Sequence, residues 1–135
     1  MLANEFHLPF HINNVYEGFA QAKGIVHTSS DEIRLEFQIS DALGGFLKSE
    51  PKNVIIPLSD LLELSFKSSV WSSKLTINVS SLGSVEDLPK PAKGKAGEVI
   101  LRIKRSDRDK AKRLVSRMNL LISEYRIRRS EEEDI

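Results

Sequence analysis

The chain has 135 residues, 40% of them hydrophobic and 29% charged, with no cysteine and a formal charge of +1. A chain of this length buries about two-thirds of its unfolded surface in one core, so neither disulfides nor metal are needed for folding. The absence of Cys excludes disulfide scaffolds, thiolate metal centres and cysteine nucleophiles together. No apolar run nears the ~18 residues that span a bilayer, and the opening MLANEFHLPF lacks a signal-peptide pattern, so a cytoplasmic protein is expected. The near-neutral total hides segregation along the chain. Residues 1–87 carry six basic and eleven acidic side chains, residues 88–130 carry fourteen basic and four acidic, and the closing EEEDI adds four acids. An electropositive face can therefore exist on a nearly neutral molecule.

In chain order, residues 1–13 read as an N-terminal extension, residues 14–128 as the domain and residues 129–135 as an acidic tail. GFAQAKGIVHT reads as a strand with Phe19 and Val26 in the core. In EIRLEFQIS, Ile33, Leu35, Phe37 and Ile39 alternate with Glu32, Arg34, Glu36 and Gln38, the pattern of a half-buried strand. Ser29, Ser30 and Asp31 form a turn cluster that pairs the two as a hairpin. A glycine loop, DALGGFLKSEPK, leads to the short strand NVIIPL. Leu62, Leu64 and Phe66, and then Leu75, Ile77 and Val79, predict a second hairpin with Val70 and Trp71 near its tip. SLGSVEDLPKPAKGKAG shows no apolar period and predicts a long flexible connection. EVILRIKR is a last strand with Val99, Leu101 and Ile103 inward.

The period then changes. Ala111, Leu114, Val115, Met118, Leu121, Ile122 and Tyr125 recur at spacings of three and four, one stripe of an amphipathic helix. Ser106 is placed as its N-cap, Asp107 and Asp109 suit the first turn, and Arg126, Arg128 and Arg129 suit the C-terminal end. The acidic tail could lie over this basic helix, though exposed ion pairs are weak.

A meander of strands ending in one amphipathic helix resembles the pleckstrin-homology-like superfold. The resemblance covers about residues 14–126. It is carried by GIVHTSSDEIRLEFQIS, by Ile56-Pro57-Leu58-Ser59-Asp60-Leu61, by the second hairpin and by EVILRIKRSDRDKAKRLVSRMNLLI, and it is nearest to bacterial pleckstrin-homology-like and GRAM-like domains. The resemblance implies a mainly β fold, a barrel of two near-orthogonal antiparallel sheets capped by the C-terminal helix, serving as a binding scaffold without catalysis. Phosphoinositide-binding members carry a Lys/Arg cluster at the first hairpin turn. Here that turn is His27-Thr28-Ser29-Ser30-Asp31-Glu32, with Lys23 and Arg34 the nearest cations, which argues against that ligand at that loop.

His7 and His11 are four apart with Pro9 between them, so a helix is excluded. On a strand they share a face ~13 Å apart, too far to share an ion, and no metal is expected. His27 stands isolated at a turn. Serines are abundant, but no nucleophile elbow and no phosphate-binding glycine loop occurs, so no catalytic residue and no cofactor are assigned. Phe46, Leu47, Val70 and Trp71 are the candidate contacts for a protein partner or a second copy, and open strand edges also invite pairing. Lys90, Lys93 and Lys95, with Arg108, Lys112 and Arg113 on the helix, are candidate contacts for an anionic lipid or another anionic ligand. Nucleic acid is not expected, because no aromatic residues interleave with the basic ones. The resulting expectation is a non-catalytic module that mediates protein–protein contact or forms a homo-oligomer, with peripheral binding of an anionic ligand as the alternative.

Overall fold

The computed structural model describes residues 4–41, 48–70 and 72–133. Seven strands form: β1 (His7–Val15), β2 (Ala20–Thr28), β3 (Glu32–Asp41), β4 (Lys52–Pro57), β5 (Leu61–Ser68), β6 (Ser73–Val79) and β7 (Glu98–Ile103). One helix, α1 (Arg108–Glu133), follows. All ladders are antiparallel, and the strands join in a single sheet of order β4-β3-β2-β1-β7-β6-β5. Among the described residues no ladder joins β4 to β5, so the sheet is open.

This corrects the expected barrel of two near-orthogonal sheets, and with it the resemblance to pleckstrin-homology-like and GRAM-like domains. The reason lies in β1. Residues 7–13, read from the sequence as part of an extension, form most of this strand. It pairs with β2 from His7↔His27 to Val15↔Ala20 and with β7 at His11↔Arg102, which joins the two groups of hairpin strands into one continuous sheet. The alternation of Leu8, Phe10 and Ile12 is the signal for it, although Pro9 and the two histidines obscure the pattern.

One face of every strand is apolar, and those side chains form a single core with α1. Leu8, Phe10, Val26, Ile33, Leu35, Phe37, Ile56, Leu75, Ile77, Val99 and Leu101 are all buried, as period-two alternation requires. From α1 come Ala111, Leu114, Met118, Leu121 and Ile122, with Val115 and Tyr125 packed at the margin, so the expected stripe is the buried one. The helix lies against β5 rather than in the mouth of a barrel. Its Asn119 amide accepts from the Leu64 N–H and donates to the Leu64 carbonyl, both at 2.8 Å, and Arg126 donates to the Leu62 carbonyl at 2.7 Å. These side chains occupy backbone groups that a further strand would need, so they blunt the β5 edge.

Other expectations differ for local reasons. Phe19 is 77% exposed, because the chain leaves β1 through left-handed conformations at Asn14, Tyr16, Glu17 and Gly18 that turn it out of the sheet. Leu62 is 43% exposed because a bulge between Leu61 and Glu63 shifts the alternation, so Leu61 and Leu64 point inward instead. The connection after β6 is not loose. It forms two short 3₁₀ turns, Leu82–Val85 and Lys90–Ala92, and buries Val85, Leu88 and Ala92. Ser106 lies inside another such turn, Arg105–Asp107, so it does not cap the helix. Residues 129–133 continue α1, and Glu133 approaches Arg129 at 3.9 Å. No helix among the described residues is long and apolar enough to cross a membrane.

On the core face, Gly24 sits opposite Phe10 on one side and Phe37 on the other. A Cβ at Gly24 would overlap the Glu36 carbonyl oxygen and lie 2.7 Å from the Phe37 Cβ. Backbone cannot yield as a flexible side chain can, so Gly24→Ala is expected to cost about 3 kcal/mol, at the upper end for overpacking. Urea unfolding measures this, and a midpoint unchanged from the parent chain would contradict the packing described.

Candidate anion-binding face

The outer face of the sheet carries an ordering of charge that no single strand displays. Lys67 pairs with Lys74, Lys74 with Arg102, Arg102 with His11, and His11 with Lys23. Five adjacent strands thus present four cations and an imidazole in one transverse row. Strands spaced about 4.8 Å apart give the row a length of about 19 Å. Each of the five residues points outward because its chain neighbours point in: Phe66 beside Lys67, Leu75 beside Lys74, Leu101 and Ile103 beside Arg102, Ile12 beside His11 and Ala22 beside Lys23.

Like charges directly opposite on a sheet are unfavourable, by up to about 1 kcal/mol per pair and less where water and salt screen them. A carboxylate on the row would remove the penalty. Among the described residues, the side chains of Lys23, Lys67, Lys74 and Arg102 have neither a carboxylate within 4.0 Å nor a hydrogen-bond partner. The flanking outward positions Ser65 and Thr76, paired with each other, are neutral donors.

Beside Arg102 the row opens into a cleft of about 340 Å³. β1 contributes His11 and Asn13, and the end of β7 with the segment after it contributes Arg102, Ile103, Lys104 and Arg105. The β5–β6 hairpin contributes Ser69, Val70 and Ser72, with Ser73 at the start of β6. No carboxylate is among these residues. The Ser69 N–H donates to the Ser72 carbonyl at 2.8 Å and the Ser72 N–H to Ser69 Oγ at 3.0 Å, which pins the turn. The pKa of His11 is held below the usual imidazole value of 6.5, first by partial burial and then by Arg102, Lys104 and Lys23. Its imidazole is therefore neutral at pH 7, and the row's charge there comes from Arg and Lys.

The histidines near the other end of β1 are also ordered. His7 and His27 face each other across the ladder, Nδ1 to Nδ1 at 2.7 Å with rings edge to face, and His27 Nε2 lies 2.9 Å from Glu36 Oε1. His27 is thus not isolated, as its place near a turn suggested. Among the described residues no group of three or more His, Asp or Glu is arranged to hold a metal ion.

The residues singled out from sequence fall in several places. Phe46, Leu47 and Trp71 lie outside the described residues. Val70 is 70% exposed and forms part of the cleft wall. Lys90 and Lys93 line a different cleft with Tyr16 and Lys52, and Lys93 Nζ donates to the Glu86 carbonyl at 2.9 Å. Lys95 is exposed, its N–H donating to Glu98 Oε1 at 2.9 Å. Arg108, Lys112 and Arg113 are exposed on α1. Loop and helix cations flank opposite ends of β7, a strand about 20 Å long, so they do not form one patch.

Lys23, Lys67, Lys74 and Arg102 escaped sequence reasoning because each is a lone outward cation in its own strand. Part of the signal was present. The β5–β6 hairpin sets Lys67 opposite Lys74, whereas the β6–β7 and β1–β7 pairings that add Arg102 and His11 are non-local.

The lowered pKa of His11 has a consequence for stability. Above pH 6.5 the imidazole is neutral in both folded and unfolded chains; as pH falls through 6.5 the unfolded chain takes up its proton first. Stability is lost across that window until the folded pKa is passed. His11→Gln is therefore expected to lessen the fall in stability between about pH 7.5 and about pH 5. Urea melts at the two pH values measure it, and an identical fall in both proteins would contradict the assignment. Comparison of the chain with protein-family models, curated proteins and solved structures finds no match.

Proposed function

We propose that this chain is a non-catalytic cytoplasmic binding module that takes an anionic ligand on the outer face of its sheet. The observation that carries this reading is the transverse row of Lys67, Lys74, Arg102, His11 and Lys23 without a neighbouring carboxylate. An uncompensated row costs stability in the free protein, and an anion laid along it removes that cost as it binds. Serine, threonine and asparagine donors beside the row add hydrogen bonds to an anion's oxygens without adding charge.

Edge-mediated self-association is the weaker reading, for a physical reason. Asn119 and Arg126 cover backbone groups of β5, and the other edge strand, β4, is six residues long and ends in Pro57. Short edges and proline both discourage pairing. The loop and helix cations are separated from one another, so an anionic surface meeting them would meet scattered charge.

Binding of fluorescently labelled polyphosphate tests the proposal. Affinity is expected to fall steeply with added salt. The double variant Lys74→Gln, Arg102→Gln is expected to bind about thirtyfold more weakly, at about 1 kcal/mol for each cation removed. Lys112→Gln with Arg113→Gln on α1 should change affinity by less than about twofold. Equal losses in the two double variants, or no binding at low salt, would refute the proposal.

A further inference from the structure

We propose that the cleft beside Arg102 seats the terminal phosphate of an organic phosphate ester, with the rest of an extended ligand following the cationic row. This rests on the anion-binding reading of the row and adds the chemical class of the ligand. Every charged residue lining the cleft is a cation, namely Arg102, Lys104 and Arg105, and Ser72, Asn13 and the His11 imidazole are further polar groups there. That set offers more donors than the two oxygens of a carboxylate accept. The three terminal oxygens of a phosphate monoester match it, and an arginine fork suits them.

Size points the same way. About 340 Å³ is near the lower end for ligand sites, enough for a phosphate and a small organic group but not for a folded polymer segment. Val70, 70% exposed, supplies apolar wall for the organic part. The hydrogen bonds between Ser69 and Ser72 hold the turn in place before any ligand arrives, so little ordering is needed on binding. His11 contributes as well. Being neutral, it leaves the surrounding cations free to attract a dianion, and the dianion in turn draws a proton onto the imidazole.

The intact chain, labelled with ¹⁵N, is titrated separately with glycerol 3-phosphate and with citrate while the backbone amides and the His11 ring are followed by NMR. Glycerol 3-phosphate is expected to give saturable shifts at Asn13, Ser69, Ser72 and Lys104, at an affinity about tenfold or more above that of citrate at the same residues. The His11 titration should move to higher pH in its presence. Arg102→Gln should abolish the shifts, and Lys104→Gln, at an exposed position, should weaken binding even if the first variant unfolds; Lys112→Gln should leave it unchanged. Equal affinity for citrate, or shifts located elsewhere, would overturn the phosphate seat. If labelled polyphosphate still binds while the cleft stays silent, the seat is wrong and the row reading stands. Saturation of the cleft by glycerol 3-phosphate with no polyphosphate binding would uphold the seat and overturn the row reading. Vesicles containing phosphatidic acid form a last arm: shifts at the cleft with vesicles but not with glycerol 3-phosphate identify a lipid headgroup as the source of the phosphate, and shifts with the free ester identify a soluble one.

Discussion

The register of the seven strands is the constraint on which the rest of this structure depends. Side chains alternate between the faces of a strand, so any register that aligns one face also aligns the other. On the inner face it places Gly24 between Phe10 and Phe37. On the outer face the same pairing sets Lys67, Lys74, Arg102, His11 and Lys23 side by side. The apolar face stabilises the fold strongly enough to hold this register against modest repulsion between exposed charges on the other side. A slip of one residue would relieve the charges, but it would also turn the core outward.

The helix serves both faces indirectly. Its stripe closes the core, while Asn119 and Arg126 attach to the backbone of β5 and leave that strand's outward side chains, Ser65 and Lys67 among them, exposed to solvent. Because α1 packs against the inner face and the β5 edge, no helix among the described residues covers the outer face. The long acidic end of α1 is equally separate from the row: residues 129–133 extend the helix past its buried portion, and the ion pair formed there is within the helix, between Arg129 and Glu133. The chain thus keeps opposite charges apart, which is how a molecule of formal charge +1 retains a cationic surface.

Local pattern was legible in the sequence and non-local pairing was not. The alternation in EIRLEFQIS, the hairpin joining β2 to β3, the inward Val99, Leu101 and Ile103, and the helical stripe from Ala111 to Tyr125 all follow from period and turn chemistry, and the structure has them. The failures have specific causes. Pro9 and the two histidines disguised β1, and without β1 the remaining strands fall into two groups that suggest two sheets. The bulge at Leu62 and the left-handed residues around Tyr16 each break an alternation that composition alone does not reveal. Runs of basic residues in the loop and helix drew attention to clusters in sequence, whereas the row is a cluster in space assembled from single cations far apart along the chain.

The central claim is that the cations of the row repel one another without compensation, and the salt dependence of folding stability tests it most directly. Added sodium chloride screens repulsion between exposed charges, so the thermal midpoint should rise with salt in the parent chain. In a Lys67→Gln, Lys74→Gln variant the midpoint should start higher and respond less. A parent midpoint that is flat or falls with salt, or a variant with the same salt response as the parent, would contradict the account.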